Sequence, residues 1–144
     1  MSKYPLFFTV SSSTASGMQN NWQSQAPDLT PVAIAIPPEF SGPGGGYSPE
    51  DLFGMACLNC IIATFKVYAE HMNITFADLT GKAEVTVDKH SSNNVLAMTH
   101  IDLTFTLKGS SNPEKAKKVL EQAVKECAVC NSITSGKTYH INLE

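Results

Sequence analysis

SPEDLFGMACLNC, residues 48–60, opens a helix and then fills it with apolar side chains. Ser48 is a capping residue, Pro49 takes the first helical position, and Glu50 and Asp51 place two acids where the helix dipole favours them. Beyond them Leu52, Phe53, Met55, Ala56, Leu58, Ile61, Ile62, Phe65 and Val67 occupy nearly every face, and the helix is expected to end near His71. A helix without a polar stripe must be enclosed on most of its sides. That demand governs the rest of the chain.

Upstream lies SGPGGGYSP, residues 41–49, a turn-rich connector. Before it, Leu6–Ser12, a segment around Asn20–Gln25, and Val32–Ile36 read as short strands of an antiparallel meander. Downstream, Ala83, Val85 and Val87 alternate with Lys82, Glu84, Thr86 and Asp88. Ile101, Leu103, Phe105 and Leu107 alternate with His100, Asp102, Thr104 and Thr106. Each pattern describes a half-buried antiparallel strand, with a turn at 91–94. Asn112-Pro113-Glu114 starts a second helix, whose inward stripe is Ala116, Val119, Leu120, Ala123, Val124 and Cys127. Tyr139, Ile141 and Leu143 mark a last strand. The order is strands, helix, two strands, helix, strand: an α+β fold in a single domain, 1–144. About six short strands cover one side of the first helix. The other side predicts a homodimer.

A chain of 144 residues buries enough surface to fold without a metal or disulfide. Net charge is −3 and no basic cluster exists, which argues against nucleic acid as a partner. All ten basic residues are lysine; arginine is absent. MSKYPLFFTV lacks the features of a signal peptide, and the most apolar run, Leu52–Phe65, is too short to span a bilayer. A cytoplasmic protein without membrane contact is therefore expected, and cysteines in that compartment stay reduced.

The four cysteines fall in two C-x-x-C pairs, Cys57/Cys60 and Cys127/Cys130. Cys57 and Cys60 share a sector of the first helix, with β-carbons about 5–6 Å apart. A buried thiol is often only a small core residue. Two buried helices each offering a thiol to one core point instead to a reactive pair. Paired C-x-x-C motifs also bind structural zinc when both lie in tight turns, but here the first pair sits inside a helix. Glu50 suits its helix start without any further role. It precedes Cys60 by ten residues, a rise of about 15 Å, so it could serve that thiol only from the partner chain. His71, His90, His100 and His140 are scattered and read as surface residues.

GPGGGYSPEDLFGMACLNC, followed by a helix ending KECAVCNSI, resembles the OsmC/Ohr family of osmotically inducible and organic hydroperoxide resistance proteins. The shared pattern is a glycine-rich turn, a Ser-Pro-Glu helix start, a helical cysteine ten residues after the glutamate, and a second cysteine late in the chain. The resemblance runs over roughly 30–144. It implies antiparallel sheets wrapped around a buried central helix in an intertwined homodimer, with its sites at the dimer interface. It also implies a thiol-dependent hydroperoxide reductase in which Cys60 is peroxidatic, Cys127 is resolving and Glu50 assists. A small hydroperoxide would be the substrate and an external dithiol the reductant, with no cofactor and no metal. Two features depart from the family pattern. The arginine that accompanies the peroxidatic cysteine is missing, with Met18–Asn21 standing about where it would fall, and Ala128 replaces a proline after the second cysteine. An OsmC-like homodimer without peroxidase activity, binding a small apolar ligand or sensing redox state, and a four-cysteine zinc site remain the alternatives.

Overall fold

A computed structural model describes residues 3–144, which divide into two compact units, one running to Leu52 and the other spanning Phe53–Glu144. In the first unit, β1 (Ser11–Ser13), β2 (Trp22–Gln25) and β3 (Val32–Ile34) form an antiparallel meander. The expected first strand, Leu6–Ser12, is largely overturned. Pairing begins only at Ser11, while Leu6, Phe7, Phe8 and Val10 are exposed because nothing among the described residues pairs with or covers them. The middle strand falls within the expected segment, and the third ends two residues early. Beyond β3 the backbone of Ala33 and Ala35 holds Tyr47, bringing the chain to Ser48.

Helix α1 spans Pro49–His71, as the cap residues predict. Ser48 Oγ accepts from the Asp51 N–H, and Asp51 Oδ2 accepts from the Ser48 N–H, each at 3.0 Å. Two backbone donors that the helix leaves free are satisfied reciprocally. With 23 residues, α1 is long and apolar enough by composition to cross a membrane, which corrects the shorter run expected from Leu52–Phe65. Its inward line, Gly54, Cys57, Ile61, Phe65 and Ala69, instead enters the core of the second unit.

That core rests on one sheet. β4 (Asp78–Lys89) pairs antiparallel with β5 (Leu96–Lys108), and β6 (Gly136–Leu143) lies on the other side of β5. Ile101, Leu103, Phe105 and Leu107 are all buried, as their alternation requires. Val87 is not. The β4–β5 register shifts between Thr86 and Val87, and Val87 is left at 36% exposure. β6 runs parallel to β5, so the sheet is mixed rather than wholly antiparallel. The reason is the connection: α2 (Pro113–Glu126) lies between the two strands in sequence and serves as the crossover that a parallel pair requires. Asn112 caps α2 through Oδ1, which accepts from the Lys115 N–H at 3.2 Å. Ala116, Val119, Leu120 and Ala123 are buried, and Cys127 extends their line at the C-cap.

Candidate functional site

Three thiols of the second unit are buried and one is half-buried. Cys57, Cys127 and Cys130 have 0%, 0% and 1% exposure, whereas Cys60 is accessible on one side. All four are free. Cys57 and Cys60 are held by α1. Cys127 ends α2, and Cys130 opens the short 3-10 turn Cys130–Ser132. The turn between them is tight: the Asn131 N–H donates to the Cys127 carbonyl at 2.9 Å, and the Cys130 N–H donates to Cys127 Sγ at 3.3 Å. The two sulfurs of this pair stand 2.9 Å apart, closer than non-bonded sulfurs ordinarily sit. Both thiols face the Cys57 carbonyl, at 4.0 Å from Cys127 Sγ and 3.9 Å from Cys130 Sγ.

Burial dominates the electrostatics. It pushes the Cys57 thiol up, with Cys127 and Cys60 adding to the rise, while a hydrogen bond with Cys130 and the Lys137 ammonium act in the opposite direction. Burial also raises Cys127 strongly. Its side-chain hydrogen bonds with Cys130 and Cys60 raise it further, and the Cys130 N–H offsets part of this. Cys130 is raised for the same primary reason, although its hydrogen bond with Cys127 works against the rise. Tyr139, on β6, is pushed up to about 12, first by burial and then by its charge interaction and hydrogen bond with Cys130. It is a phenol that stays protonated beside the thiols.

Cys127 and Cys130 thus gather at the Cys57 carbonyl, while Cys60 packs against the same core from α1. Glu50 sits in the first turn of α1, ten residues ahead of Cys60, and its Oε2 is buried without a hydrogen-bond partner among the described residues. Cys130 and Tyr139 escaped the sequence reading as site residues, and so did Lys137. Tyr139 lay on the inward phase of its strand, but its meeting with Cys130 follows from the parallel pairing of β6. Lys137 Nζ donates to the carbonyls of Ile133 and Ser135, at 3.1 and 2.9 Å. His140 and His100 are strand-surface residues facing Asp102 and Thr138.

A zinc reading fits poorly. Four sulfurs at about 2.3 Å from a tetrahedral zinc stand about 3.8 Å from one another, well beyond the Cys127–Cys130 separation of 2.9 Å. Among the described residues no group of three or more His, Cys, Asp or Glu is arranged to hold a metal ion.

The model of the OsmC-like protein family matches residues 42–142, from the glycine-rich turn through β6. The chain belongs to the OsmC-like family. Its fold is that of an OsmC-like protein of unknown function from Vibrio cholerae, at a TM-score of 0.84 and 16% identity over 95% of this chain and 99% of that one. An organic hydroperoxide resistance protein from Legionella pneumophila is similar at a TM-score of 0.70 and 18% identity, covering 99% of both chains. The organic hydroperoxide resistance protein OhrB of Bacillus subtilis gives 0.69 and 18%, over 96% of this chain and 98% of that one. No curated protein matches the sequence.

Proposed function

We propose that this OsmC-like protein is a cytoplasmic homodimer that reduces small organic hydroperoxides at the expense of an external dithiol. The observation that carries the reading is a half-buried Cys60 packed against the core cluster that holds the fully buried Cys127, in an OsmC-like fold. The Cys60 thiolate attacks the peroxide, forming an S–O bond as the O–O bond breaks, and the departing alkoxide takes a proton to become an alcohol. Cys127 then displaces hydroxide from the sulfenic acid, which leaves as water once protonated, and an S–S bond forms. An external dithiol reduces that bond by exchange. In this reading Glu50 of the partner chain positions the Cys60 thiol. Exposed apolar side chains on α1, Met55 and Val67 among them, supply surface that a second copy would cover.

Consumption of cumene hydroperoxide coupled to oxidation of a dithiol tests this. Turnover by the unmodified protein, reduced to background in Cys60→Ser, is expected. Undiminished turnover by that variant would overturn the role of Cys60, and no turnover by either protein would overturn the activity.

One observation favours a second reading, an OsmC-like dimer that senses redox state or holds an apolar ligand without peroxide turnover. The chain has no arginine, and Lys137 is engaged by two backbone carbonyls. A thiol without a cation beside it is a weak nucleophile at neutral pH. The same assay separates the two readings.

A further inference from the structure

The oxidation cycle above uses two of the four thiols, yet a close pair of sulfurs in the structure is a different one. Cys127 and Cys130 approach to 2.9 Å across a two-residue turn, and the Cys130 N–H already points at Cys127 Sγ. A disulfide needs about 2.05 Å between sulfurs, so closure asks for a shift of under about 1 Å. The turn leaves both side chains room to make it, because Cys127 has left helical geometry at the C-cap, with φ −63° and ψ 111°. Cys57 and Cys60 have no such freedom inside α1, where rotamer directions are set by the helix.

We propose that Cys130 is a third redox residue, which takes over the bond of the Cys60–Cys127 disulfide so that the oxidised chain rests as a Cys127–Cys130 disulfide and Cys60 is released. This rests on the hydroperoxide reading for its first oxidation. Cys130 loses its proton and attacks Cys127 Sγ. The Cys127–Cys130 bond forms, the Cys60–Cys127 bond breaks, and Cys60 leaves as a thiolate that takes up the proton. No electrons enter or leave in this exchange. The two electrons removed by the peroxide are simply missing from a different pair of sulfurs.

Two consequences are chemical. The half-buried thiol is regenerated before any reductant arrives, so Cys60 is spared long residence in the Cys60–Cys127 disulfide. The oxidising equivalent is stored where solvent does not reach, since Cys127 and Cys130 are both essentially inaccessible. Tyr139, whose phenol is pushed up to about 12, first by burial and then by Cys130, stays protonated through the exchange.

The test uses the full chain, reduced and then oxidised in two ways: with one equivalent of cumene hydroperoxide, and separately with oxidised glutathione, which requires no peroxidase chemistry. After acid quench and alkylation, peptide mapping reads the bridges. The expected result in both arms is a Cys127–Cys130 bridge in roughly tenfold excess over Cys60–Cys127, with Cys60 alkylated. Cys130→Ser, with Cys130→Ala as a second variant, should stop at Cys60–Cys127. A dominant Cys60–Cys127 bridge in the unmodified protein overturns the transfer and leaves the hydroperoxide reading intact. Inertness to peroxide, with Cys127–Cys130 formed by glutathione, overturns the hydroperoxide reading and with it the transfer from Cys60, but not the Cys127–Cys130 pair. Absence of a Cys127–Cys130 bridge from both arms overturns the pair itself.

Discussion

A β-carbon placed on Gly54 would stand 3.0 Å from Val85 Cγ2, so the backbone of α1 lies directly on a side chain of β4. This contact sets how close the helix comes to the strand. Two opposed effects decide the outcome of substitution. Alanine gains about 1 kcal/mol of helix propensity over glycine and loses a comparable amount to crowding, so Gly54→Ala should change stability little. Gly54→Leu has no such compensation and should cost about 1–3 kcal/mol. Urea denaturation of the reduced protein reads both, and a leucine variant as stable as the parent would show that α1 is free to lift away.

The start of α1 gives a second expectation. Ser48 and Asp51 exchange hydrogen bonds, and Ser48 is 6% exposed, so water cannot readily replace what is lost. Ser48→Ala should destabilise by about 1 kcal/mol. Ser48→Asp retains an acceptor and should recover much of that. Equal losses in both variants, by thermal or urea unfolding, would mean that the hydroxyl is not acting as a cap.

Alkaline pH should weaken the reduced protein more than its surface charges would. Cys57, Cys127 and Cys130 hold their protons more tightly when folded, primarily through burial, and unfolded thiols ionise near 9.0. Above that value the unfolded chain sheds protons that the native one keeps, so the unfolding free energy falls. The stabilisation is complete below the unfolded value and is lost as pH climbs toward the folded ones. Each thiol contributes a slope of up to about 1.4 kcal/mol per pH unit, and replacing Cys57 by alanine should flatten the profile. At neutral pH, iodoacetamide should modify half-buried Cys60 ahead of the other three. First labelling at Cys57 would contradict the burial described here.

Association is measurable directly. Val67 is 52% exposed on α1 and Met55 39%, both on a helix that is otherwise apolar. Light scattering at micromolar concentration should return twice the 15.5 kDa chain mass, and Val67→Asp should shift the population toward the single chain. A parent protein that runs as a monomer would remove the partner's Glu50 from the proposed chemistry.

Much of this fold was legible residue by residue. Serine, proline and two acids announced α1, Asn112-Pro113-Glu114 announced α2, and the alternation from Ile101 to Leu107 described a strand with one buried face. These signals are local, and local chemistry decides them. The failures have a non-local cause. Leu6–Val10 looked like a strand because its side chains are apolar, but a strand is made by its neighbour, and none is supplied among the described residues. Val87 kept the alternation in sequence and lost it in space through a register shift. That both helices turn a cysteine into one core, Cys57 and Cys127, was readable from their apolar positions. The approach of Cys130 to Cys127 was not, because it depends on the turn that α2 makes at its C-cap. Tyr139 joined them through a parallel pairing that periodicity alone cannot distinguish from an antiparallel one.

The pairing of β6 with β5 carries an ambiguity that its inner face cannot resolve. Tyr139, Ile141 and Leu143 recur every second residue, so sliding β6 by two positions would preserve which side chains face inward. Such a slide would carry the tyrosine hydroxyl about 7 Å from Cys130 while leaving the alternation of the strand intact. The outer face breaks the tie. Thr138 meets His100 at 2.7 Å and His140 meets Asp102 at 3.0 Å, and a two-residue slide separates both pairs. These four solvent-facing residues therefore act as an alignment key for chemistry on the opposite side of the sheet, and substitutions among them should be tolerated more readily in matched pairs than one at a time.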